Sequence, residues 1–473
     1  MKRITTTLAA ALCLVSLAGC SAMRSKFQQP ELDIPQSWSQ TPAQAQGGHT
    51  SALVQPEHWW TRFQDPALDS LIERVLASNS DLEKATLTLR KALLEAGVSE
   101  NNQTPRLGFA QNSSRRYDLD EGSSESGYGA ALSLSYELDL WQRLEALADA
   151  SELAARASYE EREALAQDLV VTTATLYWKL GYLNQRLALI RDNLEDSERT
   201  AALIRLQYDN GANTRLEVAE AQQAVLDQQL QLSQMQQELS EAQNALTILL
   251  NLPLQETGVA IAQLPEPSIP DIAAGVPADL LLRRPDIRAS LYQLQSTLAE
   301  KDAVAAGYLP TITLTGALNT SSSSLLELLQ NPVATLGSGI VLPFLEWREM
   351  QLNKGISEVD YQLAVVDYRD TLYQAFEEVD NLLTAKGHYE HQEQVYGQQF
   401  SNAREIERIY RSRYSHGESD LIDWLSAAQS RRGIEASVLE NRYNRFVVQA
   451  RLYRALGGDD MAFKDQGAKI GRR

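Results

Sequence analysis

Residues 201–225 read AALIRLQYDNGANTRLEVAEAQQAV, two helical halves joined by Tyr208-Asp-Asn-Gly-Ala, the single turn signal in a proline-free run from Trp141 to Leu250. Upstream of the turn, Leu169, Leu176, Leu183, Ile190, Ser197 and Ile204 recur every seven residues, interleaved with Leu180, Leu187, Leu194, Ala201 and Tyr208. Downstream, Val218, Val225, Leu232, Leu239 and Leu246 keep the same beat, with Ala221, Met235, Ala242 and Leu249 in the second seam position. Heptads of this kind predict two coiled-coil arms folded into an antiparallel hairpin. At 1.5 Å rise per residue the arm from Trp141 to Tyr208 is on the order of 100 Å long. That is too long for an ordinary globular domain.

Working outward, the period changes. From Gly127 to Leu138, apolar Tyr128, Ala130, Leu132, Leu134, Tyr136 and Leu138 alternate with Gly, Ala, Ser and Glu, the pattern of a strand with one apolar and one polar face. Arg106–Tyr117 is the expected partner strand and Asp118–Ser126 the polar loop between them. Strands of this length match the 9–11 residues of a tilted transmembrane β-strand. Before them, helices are expected from Pro66, with Asp65 as N-cap, and over Asp81–Asn101.

The pattern occurs twice. Asp139-Leu-Trp141-Gln-Arg is echoed by Leu345-Glu-Trp347-Arg-Glu, and Tyr208-Asp-Asn-Gly211 by Tyr414-Ser-His-Gly417, both at a spacing of 206; Pro105 is echoed by Pro310 at 205. The second copy therefore holds helices over Ala278–Ala306, strands near Thr311–Thr320 and Ala334–Leu342, a long helix Trp347–Tyr414 and a return helix Asp420–Leu456. The expected organisation is a first repeat over 59–251, a linker over 252–277 with five prolines, a second repeat over 278–457 and a tail over 458–473.

At the start, Met1-Lys-Arg, an apolar run from Leu8 to Leu17 and Leu17-Ala-Gly-Cys20 form a secretory signal over 1–19, too short to remain as a span. The cut site resembles the bacterial lipobox, in which the cysteine is acylated, so Cys20 is the expected site of a covalent lipid such as palmitate. Ser21 in place of Asp points to the outer membrane. Residues 20–58 form a lipid-anchored leader rich in Gln, Pro, Ser and Thr. With Cys13 in the signal and Cys20 lipidated, the mature chain has no thiol to pair, so packing alone holds it. The net charge of −19 over 473 residues excludes a nucleic-acid surface.

Four strands cannot close a membrane barrel, and an open edge in lipid leaves backbone groups unpaired. Two, three or four copies would supply the eight or more strands a barrel needs. The residues Gly275-Val-Pro-Ala-Asp-Leu-Leu-Leu-Arg-Arg-Pro-Asp-Ile-Arg-Ala289, Ala306-Gly-Tyr-Leu-Pro310, Tyr136-Glu-Leu-Asp-Leu-Trp141 and the paired Tyr-x-x-Gly turns together resemble the TolC/OprM family of outer-membrane efflux factors. The resemblance covers nearly the whole mature chain. It implies a mixed α and β homotrimer: a 12-stranded outer-membrane β-barrel, four strands per chain, continuous with a long α-helical barrel of coiled-coil hairpins crossing the periplasm. It also implies a passive exit duct for drugs or small solutes, docked to a periplasmic adaptor and an inner-membrane RND transporter. Two other functions remain open: a type I protein secretion duct, which shares the fold, and a non-transporting periplasm-spanning lipoprotein, which has no use for membrane-length strands.

No phosphate loop, nucleophile elbow or zinc-protease motif occurs, so no enzyme and no cofactor beyond the lipid is expected. His388 and His391 lie three apart on a helix with no second carboxylate-and-His pair nearby and read as a solvated face. Arg283, Arg284 and Asp286 have a structural reading, with Pro285 starting a helix. By resemblance, carboxylates early in the return helices ring the pore at its closed periplasmic end, which makes Glu217, Glu220, Asp420, Asp423 and Tyr414 the candidate gate. Ser426 replaces a second Asp of many relatives, and Ser419 an Arg that bonds across the tip in one branch. The same residues also have a capping role, because Thr214-Arg-Leu-Glu217 is a capping box and Asp420 with Asp423 suits a helix N-terminus.

Overall fold

The computed structural model describes residues 24–31, 38, 58–120, 122–253, 261, 263–265, 269, 283–330 and 332–458. The signal peptide, Cys20, most of the leader, the linker with motif residues 275–282, and the tail beyond 458 lie outside them. Eleven longer elements follow in order: α1 Pro66–Ser78, α2 Ser80–Asn101, β1 Arg106–Tyr117, β2 Ser124–Leu138, α3 Arg143–Asp209, α4 Arg215–Leu249, α5 Pro285–Gly307, β3 Thr311–Ser322, β4 Val333–Val341, α6 Trp347–Ser415 and α7 Leu421–Ala455. Short 3-10 turns stand at Trp59–Phe63, Leu325–Glu327 and Pro343–Leu345. Two expectations shift. The first polar loop ends at Ser123, because Ser124–Ser126 pair with Arg115–Tyr117 and extend β2. In the second repeat, α5 begins at Pro285, whose fixed φ suits a first helical position, and the part of the helical expectation over 278–282 lies outside the described residues.

The chain divides into two compact units, each assembled from pieces of both repeats: Met1–Asp33, Thr86–Glu161 and Asp286–Thr371 in one, Ile34–Ala85, Arg162–Pro285 and Leu372–Arg473 in the other. The first holds a four-stranded antiparallel sheet in the order β1-β2-β3-β4, so β2 and β3 join the two repeats side by side. Directly opposed residues in such a sheet share a face, and the register therefore sorts every side chain. One face carries Leu107 and Phe109 of β1, Leu132 and Leu134 of β2, Leu314 and Leu318 of β3, and Leu336 and Ile340 of β4. It is uncovered: Phe109 is 73% and Leu336 92% exposed. The middle of the other face is made of Gly, Ser, Thr, Asn and Ala, with glycines set opposite polar side chains, and Arg106, Arg116, Glu125 and Glu137 stand toward its two ends. A Cβ on Gly108 would lie 2.8 Å from Ser133 Oγ, and one on Gly337 3.1 Å from Thr315 Oγ1. On that polar face, glycine and hydroxyl-bearing residues stand opposite one another where two larger side chains would crowd.

Below the sheet, the same unit ties its helices by polar contacts. Ser296 Oγ donates to Ala150 O at 2.8 Å, and the Ser99 and Ser151 hydroxyls meet at 2.7 Å. The leader segment is strapped on by Arg24, which pairs with Asp149 and with Glu145 at 3.5 Å, and by Ser25, whose hydroxyl donates to Asp302 at 2.7 Å.

The second unit is helical. Asp65 Oδ1 accepts from the amides of Ala67 and Leu68 at 3.0 and 3.3 Å, so it caps α1 as expected. Beside it an aromatic core forms: Trp59 stacks on Tyr453 at 5.1 Å, and Trp178 lies between Phe63 at 4.9 Å and Phe446 at 5.1 Å. Along α3, heptad residues Leu183, Ile190, Ser197 and Ile204 are buried, as the spacing requires. Tyr208 departs from the seam: it is exposed, with the Arg205 guanidinium 5.6 Å over its ring. Gly181 permits a further contact, since a Cβ there would come within 2.9 Å of the Gln263 backbone.

Candidate functional site

Both hairpin tips are built the same way. The Gly211 amide bonds Tyr208 O at 2.9 Å and the Ala212 amide bonds Gln207 O at 2.8 Å; the Gly417 amide bonds Tyr414 O at 3.0 Å and the Glu418 amide bonds Arg413 O at 2.9 Å. This double closure needs a left-handed residue just past the helix, and the glycines have φ of 78° and 72°.

The return helices start differently. At α4 the capping box is complete: the Thr214 amide donates to Glu217 Oε2 at 2.7 Å, and the Glu217 amide donates back to Thr214 Oγ1 at 3.5 Å. The Glu217 carboxylate is thus engaged in its own helix end. Asp420 occupies the N-cap position of α7, but its side chain makes no capping hydrogen bond, contrary to the sequence expectation. Its backbone is extended, with φ −75° and ψ 156°, so at α7 the cap position is set by backbone conformation alone. Asp423 in the first turn is exposed and Glu220 is half-buried.

Between the hairpins the structure brings Tyr414 together with two residues that the sequence did not single out. Asn213 Nδ2 donates to Gln207 Oε1 at 2.9 Å and to the Tyr414 hydroxyl at 3.3 Å, and that hydroxyl donates to Gln207 Oε1 at 3.4 Å. Beneath this triangle the Tyr414 ring lies 5.6 Å from Trp424, and the Arg411 guanidinium lies 5.8 Å over the Trp424 ring. Ile204, Ala221 and Leu421 form the buried floor, with Val218 and Trp424 packed against it. Val218 and Trp424 are repeat equivalents at the same spacing of 206, which is the one signal that could have found Trp424. The tip is therefore an apolar knot with a polar clasp on top and carboxylates in water beside it. Such an arrangement can hold two hairpins together and present negative charge.

Other singled-out residues fall elsewhere. Buried Arg284 donates to Glu378 Oε2 at 2.8 Å and to Ala455 O at 3.2 Å, while Arg454 meets the other oxygen of Glu378 at 2.7 Å and also pairs with Asp168. This motif arginine holds helices together, as its structural reading required. Asp286 lies in the first turn of α5. His388 and His391 are exposed on α6. No cluster of metal-ligating side chains occurs among the described residues, and none of their helices is long and apolar enough to cross a membrane.

The family model described as outer membrane efflux protein matches residues 71–252 and 276–458. The chain is 30% identical over 474 residues to outer membrane protein OprJ of Pseudomonas aeruginosa, covering 97% of each. It is 29% identical over 406 residues to toxin and drug export protein A of Aggregatibacter actinomycetemcomitans, covering 85% of this chain and 88% of that one. Among solved structures, the open state of the Neisseria gonorrhoeae MtrE outer membrane channel superposes with a TM-score of 0.77 at 26% identity, over 92% of this chain and 98% of that one.

Proposed function

The chain belongs to the outer membrane efflux protein family, and from that premise we propose that it is the passive exit duct of a tripartite pump carrying drugs or other small solutes. It is an outer-membrane efflux protein, of a family of channels and not of enzymes. The sidedness of its sheet carries the duct reading. An uncovered apolar face backed by a hydroxyl-lined one suits lipid outside and water inside. Because β1 and β4 keep free edges, three copies pair edge to edge into a barrel of twelve strands.

The finer parts of the proposal rest on the sequence. Cys20 carries the lipid that tethers the leader. A periplasmic adaptor and an inner-membrane RND transporter supply energy and choose cargo. The hairpin tips are the gate, with Asp423 and Glu220 presented to water, Tyr414 in the clasp and Glu217 serving its cap. The repeats over 59–251 and 278–457 are the two copies of one unit, and each contributes two strands and one long hairpin to the duct. A protein-secretion duct is the second reading, favoured by one observation: a relative at 29% identity bears a name that joins toxin with drug export.

Cells lacking their own duct, supplied with this chain, an adaptor and an RND transporter, should regain efflux of a fluorescent dye. The purified protein should be a trimer that conducts in planar bilayers. A folded monomer in mild detergent, or cells that stay dye-filled with the trimer present, would overturn the reading. Export of a reporter toxin without dye efflux would favour the second.

A further inference from the structure

The connection between β3 and β4 is unlike its counterpart in the first repeat. The β1–β2 loop, Asp118–Ser123, closes on its own backbone, with the Gly122 amide bonding Asp118 O at 2.9 Å, and carries Asp118 and Asp120. The second connection contains a 3-10 turn at Leu325–Glu327 and bares three leucines: Leu325 is 58%, Leu326 94% and Leu329 81% exposed. A patch of this kind marks a surface with a partner.

Its direction is fixed by one bond. The Thr320 hydroxyl donates to the Leu328 carbonyl. Thr320 stands opposite Ala130, which in turn stands opposite Gln111, so Thr320 belongs to the same face as Leu132, Leu318 and Leu336. The turn is therefore folded back over the apolar face and not over the hydroxyl-lined one. Thr320 lies two residues beyond Leu318, on the order of 7 Å along the strand, so the leucines continue the apolar band at its upper edge. Both hairpin connections lie at the end of the sheet away from the helices.

We propose that Leu325, Leu326 and Leu329 form an interfacial lipid-binding element that seats in the acyl-chain boundary of the outer leaflet. This rests on the lipid-facing reading of the sheet, and the occupant follows from continuity with that face. The segment has a single charge, Glu327, at its surface, and it needs no helix of membrane length, because an interfacial element lies in the plane of the headgroups.

The test uses the full chain reconstituted in phosphatidylcholine vesicles, with a fluorophore on single cysteines placed by Leu326→Cys, Leu336→Cys and Asp120→Cys. Quenching is read from lipids brominated in the acyl chain and from aqueous iodide. The expected result is strong lipid quenching and weak iodide quenching at both Leu326 and Leu336, with the reverse at Asp120. Iodide quenching at Leu326 with lipid quenching at Leu336 would overturn this inference alone and place the turn in water. Protection of Leu326 from both quenchers would overturn it in favour of a protein contact. Iodide quenching at Leu336 as well would overturn it together with the lipid-facing reading of the sheet.

Discussion

The indole Nε1 of Trp141 donates to the carbonyl of Pro310 at 2.9 Å, fastening the end of the first repeat's strands to the start of the second's. Trp347 and Pro105 are the repeat equivalents of this pair, and Trp347 is 64% exposed in the single chain. In a closed ring of copies, the β4 edge of one chain meets the β1 edge of the next, and Trp347 would find Pro105 of the partner subunit.

The repeat offsets then predict the register such a seam would have. Leu134 opposes Gly316; adding 206 to the first and subtracting 205 from the second pairs Ile340 with Gln111 of the partner subunit. Both belong to the apolar face, whereas a shift of one residue would set apolar against polar sides. Ile340→Cys with Gln111→Cys should form an intersubunit disulfide on mild oxidation, since opposed strand residues lie within bridging distance. Gly339→Cys with Gln111→Cys should not. Cross-linking in the second pair and none in the first, read on denaturing gels, would refute the register.

At the hairpin tips, loosening the clasp and removing an exposed charge should open the pore. Asp423→Asn with Tyr414→Phe should raise single-channel conductance in planar bilayers and weaken cation selectivity, because the threefold symmetry of the proposed trimer would multiply each carboxylate around the axis. Glu217→Ala should instead act chiefly on helix stability, by about 1 kcal/mol, since it removes the acceptor that holds the Thr214 amide in the capping box. Unchanged conductance in the double variant, with the trimer intact, would leave the tip carboxylates with no role beyond the helix ends.

Arg284 anchors the network of Glu378, Arg454 and Asp168 from a buried position. Arg284→Ala should lower stability by about 2 kcal/mol, the cost of losing charged hydrogen bonds with a carboxylate left short of a partner. Denaturant midpoints in detergent would measure it. A loss confined to transport, with no change in midpoint, would contradict a structural role.

Burial, together with the Asp65 carboxylate that accepts from its hydroxyl at 2.7 Å, pushes the Tyr177 hydroxyl well above the ordinary tyrosine range. The unfolded chain loses this proton near pH 10 while the folded chain keeps it. The contribution is therefore fully present below about pH 10 and is lost as pH rises further. Burial moves Tyr182, Tyr368 and Tyr443 in the same direction. Melting midpoints should fall steeply above pH 10, and Tyr177→Phe should make that fall shallower. An identical slope in the variant would remove Tyr177 from the account.

The long helices, the four strands and the repeat were legible because each is written as a period: seven for Leu183 and Ile190, two for Leu132 and Leu134, 206 for the turn glycines. The clasp was not. Asn213 and Tyr414 are separated by 201 positions, and nothing about an asparagine two residues past a turn announces that it faces another hairpin. Arg284 was legible only as a motif residue, since its partner Glu378 lies 94 positions away. Asp420 shows the opposite failure: its residue type promised a cap, and its side chain makes none.

The hydroxyl and glycine face of the sheet also bears on transit. In the proposed duct a passing solute would meet, along the middle of that face, Ser, Thr and Asn groups that offer hydrogen bonds no better than those it would surrender to water, with the fixed charges of Arg106, Arg116, Glu125 and Glu137 kept to the two ends. Nothing along such a wall rewards lingering. Dwell time there should be nearly the same for chemically dissimilar molecules, so a single conduit can serve a broad range of cargo without being retuned for each.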